Sequence, residues 1–195
     1  MDCVNDLALK KIFEEARTPQ KWTNRSIEDD LLIRLYELTK LGPTSGNCQP
    51  GRFAFLRETA SKEKLKPALS LGNVQSVLSA PVVVIVAHDP LFYEFLDKLN
   101  PSLELKSWYA EDMPFAEETA IRNSTLQGGF FILAARALGL DVWPMSGFDN
   151  AMVNAVFFEK EGWQSNFLMC VGYACKEVTQ PRLPRLEFNE ACLML

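Results

Sequence analysis

Residues 41–53, LGPTSGNCQPGRF, set Thr44, Ser45, Asn47 and Gln49 among three glycines and two prolines, between a helix-like run and the apolar FAFL. A connection of this kind needs only a few turn residues. This one carries a surplus of small polar groups suited to contacting a ligand. A second polar loop, WPMSGFD at 143–149, ends a strand with Pro144 and Gly147. It leaves main-chain N–H groups around Ser146 and Gly147 available to an acceptor. Two polar loops of little side-chain bulk suit a flat heteroaromatic ring. The arginines are the third feature: Arg17 stands in EARTPQKW, just after a helical run, and Arg182 and Arg185 stand in the proline-stiffened QPRLPR near the other end. A planar guanidinium with five donors suits a phosphate, and arginines from both chain ends could converge on one. Each of them would serve equally as a solvated surface cation, and residue type does not decide between the two.

Other chemistries are removed by what the chain lacks. His88 is its one histidine, and no CxxC occurs, so no metal site is expected. Neither GxGxxG after a strand nor GxxxxGK[ST] is present, which excludes a Rossmann dinucleotide domain and a P-loop NTPase. Cys48 and His88 would in principle make a nucleophilic pair, the basis of a distant hydrolase alternative. A small buried thiol and a strand-end histidine are the simpler reading. The net charge of −5 argues against nucleic acid or an anionic membrane as partner. No apolar run approaches the roughly 18 residues of a membrane span, and MDCVNDLALKK does not read as a secretory leader. A soluble cytoplasmic protein is expected, with Cys3, Cys48, Cys170, Cys175 and Cys192 reduced.

The elements that must position these residues follow from periodicity. Leu9, Ile12, Phe13 and Ala16 fall at i, i+3, i+4, i+7 and predict a first helix. Ser26 reads as the N-cap of a second, carrying Leu31, Leu35 and Leu38 and stopped by Gly42-Pro43. RFAFLR is a strand, SKEKLKPAL and NVQSVLS are short helical pieces, and PVVVIVA is a strand buried on both faces. From Pro114 to Leu138 runs a long helix closed by Gly139, with Leu126, Phe130, Leu133 and Ala137 on one face. It should be the central core helix. DVWPM is a strand, Asp149 caps a helix holding Met152, Val153, Val156 and Phe157, and NFLMCVGYA is another strand. The tail PRLPRLEF is irregular. With 195 residues, 48% hydrophobic and 23% charged, and no repeat or linker, the expectation is one α+β domain spanning 1–195.

Taken in order, ART…W, GPTSGNCQP, GN followed by AP, RNS, PMSGFD and RLPR resemble the FMN-dependent nitroreductase family from about Arg17 to Arg185. GPTSxNC, AEETAxRNS, PMSGFD and RLPRLxF are more narrowly similar to the branch of malonic semialdehyde reductases of pyrimidine degradation and haloacid-associated reductases. The resemblance implies a nitroreductase-like α+β fold, in which a mostly antiparallel sheet of four or five strands lies between helices. It implies an intertwined homodimer with one FMN per subunit at the interface, the C-terminal tail of one subunit extending onto the other, and the long helix buried largely against the partner. Arg17, Arg185 and Arg182 would hold the FMN phosphate with Thr18 beside them, and Asn73 would meet the ribityl or the ring edge. Thr44, Ser45 and Asn47 would reach the flavin from the partner subunit. Asn123 would lie near the pyrimidine edge, with Pro144, Met145, Ser146 and Gly147 under the ring.

Ser146 stands where many relatives carry an acid, and Ser76 where many carry a base. The implied activity is ping-pong hydride transfer from NADH or NADPH to a small-molecule oxidant. By the branch resemblance that oxidant is malonic semialdehyde, giving 3-hydroxypropionate; the alternative is a broad nitro- or quinone reductase. Arg52 and Arg122 are candidates for the substrate carboxylate by residue type.

Overall fold

The computed structural model describes residues 3–102, 104–175, 177 and 180–195; Asp2 of the acidic start lies outside them. In chain order the elements are α1 (Asp6–Leu9), a π-helical turn (Lys10–Glu14), α2 (Asp29–Thr39), a 3-10 turn (Ser45–Asn47), β1 (Gly51–Leu56), α3 (Thr59–Leu65), α4 (Leu71–Ser79), β2 (Val82–His88), α5 (Leu96–Leu99), α6 (Lys106–Glu111), α7 (Met113–Ala137), β3 (Asp141–Met145), α8 (Asn150–Phe157), β4 (Gln164–Gly172) and α9 (Phe188–Ala191). The strands form one sheet in the order β1-β2-β4-β3, antiparallel throughout.

The unbroken apolar run of β2 has its physical reason in this arrangement. Val83, Ile85 and Ala87 enter the core on one face, with Leu56, Leu65, Val77, Leu168 and Cys170. Val82, Val84 and Val86 enter the other, with Leu35, Phe131, Ala135, Met169 and Val171. Because side chains alternate across a strand, an inner strand covered on both sides has no polar face to offer. A third cluster, Cys48, Phe92, Tyr93, Leu96, Tyr109, Ala116 and Ala120, lies beneath the 44–49 loop and supports it.

Three expectations need correction. Glu28, not Ser26, occupies the N-cap of α2, and the Ser26 hydroxyl donates to Glu28 Oε1 at 3.2 Å. The first helix is a short α-turn running into a π-helical turn, and its apolar face is not buried within the chain, Phe13 being 50% exposed. The long helix α7 does cover the sheet, but on the face of Thr119, Ala120, Asn123, Gln127, Phe131 and Ala135. The face holding Leu126, Phe130 and Leu133 turns outward and lines an open groove of about 810 Å³. An apolar count around a helix marks that it is buried somewhere; it does not say which side meets its own sheet.

Candidate cofactor and substrate site

The 44–49 loop is wound tightly. Gly46, Asn47 and Gln49 have φ of 55°, 55° and 41°, in the left-handed region. Glycine and asparagine adopt it at little cost, whereas Gln49 is held there against its preference. Local bonds hold it: Gln49 N donates to Thr44 Oγ1 at 3.1 Å, Gln49 Nε2 to Asn47 Oδ1 at 2.8 Å, and Asn47 Nδ2 to the Leu99 carbonyl at 2.7 Å.

Two amides one turn apart on α7 fasten both ends of the loop to the helix. Asn123 Oδ1 accepts from Ser45 N at 2.8 Å while its Nδ2 donates to the Thr119 carbonyl at 2.8 Å. Gln127 Oε1 accepts from Gly51 N at 2.7 Å. Asn123 therefore spends both ends of its side chain inside the chain. Gln127 was not singled out from the sequence, although its signal was present: two amides spaced i, i+4 in a run of apolar residues mark one inward polar stripe.

The second loop is stitched to the start of α4. The Gly147 carbonyl accepts from Ser70 N at 2.9 Å and from Asn73 Nδ2 at 3.0 Å, and Asp149 N donates to the Ala68 carbonyl at 2.8 Å. A Cβ on Gly147 would stand 2.9 Å from both Asn73 Nδ2 and Ser70 Oγ, so those side chains would have to shift to admit one. Among the described residues nothing accepts from the N–H of Ser146 or Gly147. Ser146 and Pro144 are exposed at the end of β3, and Met145 is buried.

Arg17, Thr18, Arg182 and Arg185 do come together, in a cavity of about 260 Å³ whose lining also includes Arg136 of α7. The end of the π-helical turn orients the guanidiniums. Arg17 Nη1 donates to the carbonyls of Glu14 and Ala16 at 2.8 and 2.9 Å, and Arg182 Nη2 to those of Phe13, Glu14 and Ala16 at 2.6 to 3.1 Å. Arg136 Nη1 donates to the Ile12 carbonyl at 3.0 Å. Arg185 Nη1 donates to the Leu183 and Pro184 carbonyls at 2.9 and 3.1 Å. Among the described residues no carboxylate lines the cavity and none of the four arginines is in an ion pair. Four cations without a counter-charge repel one another, and an anion is what relieves them. Arg136 was missed in the sequence reading, where a lone charge in the apolar GGFFILAARAL was its signal.

The lining of this cavity includes no residue of 44–49 or 144–147. The three clusters thus do not share that concavity in one chain. The hydrolase alternative fails on chemistry. Burial pushes the Cys48 thiol up to about 11, so it stays protonated at neutral pH. Burial also holds His88 low, with its Nδ1 unpartnered, and no hydrogen bond joins the two. An activated thiol requires the opposite shift. Of the two arginines named for a carboxylate, Arg52 is engaged: its Nη2 pairs with Asp89 Oδ2 at 2.8 Å and its Nη1 holds the Gln49 and Gly51 carbonyls. Among the described residues Arg122 pairs only with Glu118 on its own helix, and it lines the groove beside Ser45.

Residues 14–173 match the Nitroreductase family. A relative from Ralstonia nicotianae, provisionally named NADH dehydrogenase/NAD(P)H nitroreductase, is 46% identical over 195 residues, covering 100% of both chains. Among solved structures, a Bacillus subtilis protein provisionally named a nitroreductase superposes with a TM-score of 0.88 at 24% identity, over 98% of this chain and 100% of that one. An Exiguobacterium sibiricum protein, provisionally named a nitroreductase and solved in complex with FMN, superposes with a TM-score of 0.81 at 22% identity, over 100% and 99%. At such identities the likeness to the two structures is one of fold.

Proposed function

The chain belongs to the nitroreductase family, and from that membership we propose that it is an FMN-dependent NAD(P)H oxidoreductase whose site is completed by a second copy of itself. The observation that carries this reading is the cavity in which Arg17, Arg182 and Arg185 meet without a carboxylate. In a chain of net charge −5 such a collection fits the phosphate of a flavin mononucleotide. Thr18 adds a hydroxyl to the same lining.

FMN held there would supply hydride transfer between NADH or NADPH and the oxidant; the side chains supply position and electrostatics. The N–H groups of Ser146 and Gly147 are donors left for an acceptor on the ring edge. Asn73 fixes that loop through the Gly147 carbonyl, so its part is to aim those donors. Thr44, Ser45 and Asn47 stand on a loop made rigid by α7 and its own hydrogen bonds, as a contact offered to a partner's flavin requires. The homodimer reading is supported by the outward groove along Leu126, Phe130 and Leu133, and by the exposed Leu183, Leu186, Phe188, Leu193, Met194 and Leu195 of the tail.

For the oxidant we take malonic semialdehyde, on the likeness of GPTSxNC, AEETAxRNS, PMSGFD and RLPRLxF to that branch. Of the two candidate arginines Arg122 is the one to meet its carboxylate, because its pair with Glu118 is exposed to solvent, whereas the charge of Arg52 is spent on the largely buried Asp89. Purified protein should show flavin absorbance and be reduced by NADH or NADPH under anaerobic conditions. Addition of malonic semialdehyde should then reoxidise it. Protein that neither carries nor binds FMN overturns the reading. Reoxidation by nitroaromatics or quinones but not by the semialdehyde overturns the narrower substrate assignment in favour of the broad reductase.

A further inference from the structure

We propose that Arg136 makes the arginine cavity selective for a terminal phosphate dianion, distinguishing FMN from flavins that lack one. The inference rests on the assignment of that cavity to the FMN phosphate. Arg17, Arg182 and Arg185 lie outside the regular helices and strands that flank them, and the latter two are exposed. Arg136 alone comes from a long element, in the last turn of the 25-residue α7. It is half-buried, and its Nη1 is fixed on the Ile12 carbonyl at 3.0 Å. Its charge is therefore carried by a long regular element and lies against the core, where water screens it less.

Burial, and after it the charge of Arg182, hold the Arg136 guanidinium below its ordinary value. That strain is electrostatic, and the one nearby acid that opposes it, Asp141, does not line the cavity and makes no ion pair among the described residues. A dianion gains twice the Coulomb energy of a monoanion from each fixed cation, and an uncharged end gains none. In FAD the phosphoryl group on the ribityl chain is bridged to a second one, so each phosphorus of that pyrophosphate presents one charge and none is a terminal dianion. Riboflavin presents none. A fourth, poorly screened arginine thus widens the gap between FMN and both alternatives, beyond what the other three achieve.

The structural alternative is that Arg136 only pins α7 to the first helical segment through Ile12. That role would affect every flavin alike, so the readout is a ratio. Dissociation constants for FMN, FAD and riboflavin are measured by flavin fluorescence on the full-length wild type and on Arg136→Ala and Arg136→Lys, each checked for folding by circular dichroism. The preference of the wild type for FMN over riboflavin should shrink about tenfold in Arg136→Ala, through FMN alone, and recover in part in Arg136→Lys. Inorganic phosphate should compete with FMN and not with riboflavin in the wild type. An unchanged ratio, or equal weakening of all three flavins, overturns the role given to Arg136. Wild-type protein that binds riboflavin as tightly as FMN overturns the phosphate assignment itself. Should Arg136→Ala fail to fold, Arg136→Lys with the phosphate competition still decides the point.

Discussion

Replacing Asn123 with alanine separates the loop that carries Thr44, Ser45 and Asn47 from the helix that holds it. The side chain is 4% exposed and makes two hydrogen bonds of 2.8 Å, one accepted from Ser45 N and one donated to the Thr119 carbonyl. At roughly 1 kcal/mol net for each bond, with a small cavity added, the loss should be about 2–3 kcal/mol. The Ser45 end of the loop reaches solvent, so its N–H can be rehydrated, which keeps the figure from rising further. For a chain of this length each kcal/mol lowers Tm by about 2–4 °C, so Tm should fall by about 4–12 °C. Calorimetry at one fixed protein concentration measures this without confusing folding with association. The same variant should bind FMN more weakly, because the loop then samples positions from which it cannot meet the flavin. Loss of less than about 0.5 kcal/mol with FMN affinity intact would refute the claim that this amide places the loop.

Gly147→Ala should cost about 1–2 kcal/mol in urea unfolding and weaken FMN retention, since the new Cβ meets Asn73 and Ser70 at 2.9 Å. The two candidate arginines should behave oppositely. Arg52→Ala strands Asp89, whose side chain is 12% exposed, and should lower stability by about 2–3 kcal/mol. Arg122→Ala, breaking an exposed i, i+4 pair, should cost no more than about 0.5 kcal/mol yet raise KM for the semialdehyde. Cys48, held protonated, should resist iodoacetamide at pH 8 in the folded protein, and Cys48→Ala should retain flavin reduction; rapid inactivation by alkylation at that residue would contradict its buried state. His88 is held neutral in the fold, below its unfolded value of about 6.5. The unfolded state then binds the extra proton as pH falls, so this contribution is intact above about pH 6.5 and is lost below it. Chemical denaturation of His88→Gln at pH 7.5 and 5 should show a smaller pH dependence than the wild type.

At several positions one local physical rule was enough for the residues to announce their structure, although Ser26 and the first helical run were not among them. An unbroken β-branched run demands cover on both faces, and β2 is the inner strand that has it. Asp149 caps α8 through Met152 N because a short carboxylate reaches that orphan donor, and Gly139, with φ of 83°, closes α7 because the position is left-handed. The turn residues around 44–49 and 144–147 likewise declared two loops. The partners of each group were decided by the tertiary structure. Leu126, Phe130 and Leu133 are as apolar as Phe131 and Ala135, yet only the latter two meet this chain's sheet, since helix phase is set by what packs against it. Asn123 and Gln127 became loop anchors only when α7 passed beneath residues 45 and 51, which lie 78 and 76 positions away. The same holds for charge: Arg17, Arg136, Arg182 and Arg185 span most of the chain, and no spacing rule joins them. It is the packing of the first helical segment, the end of α7 and the tail that turns four separate cations into one cavity.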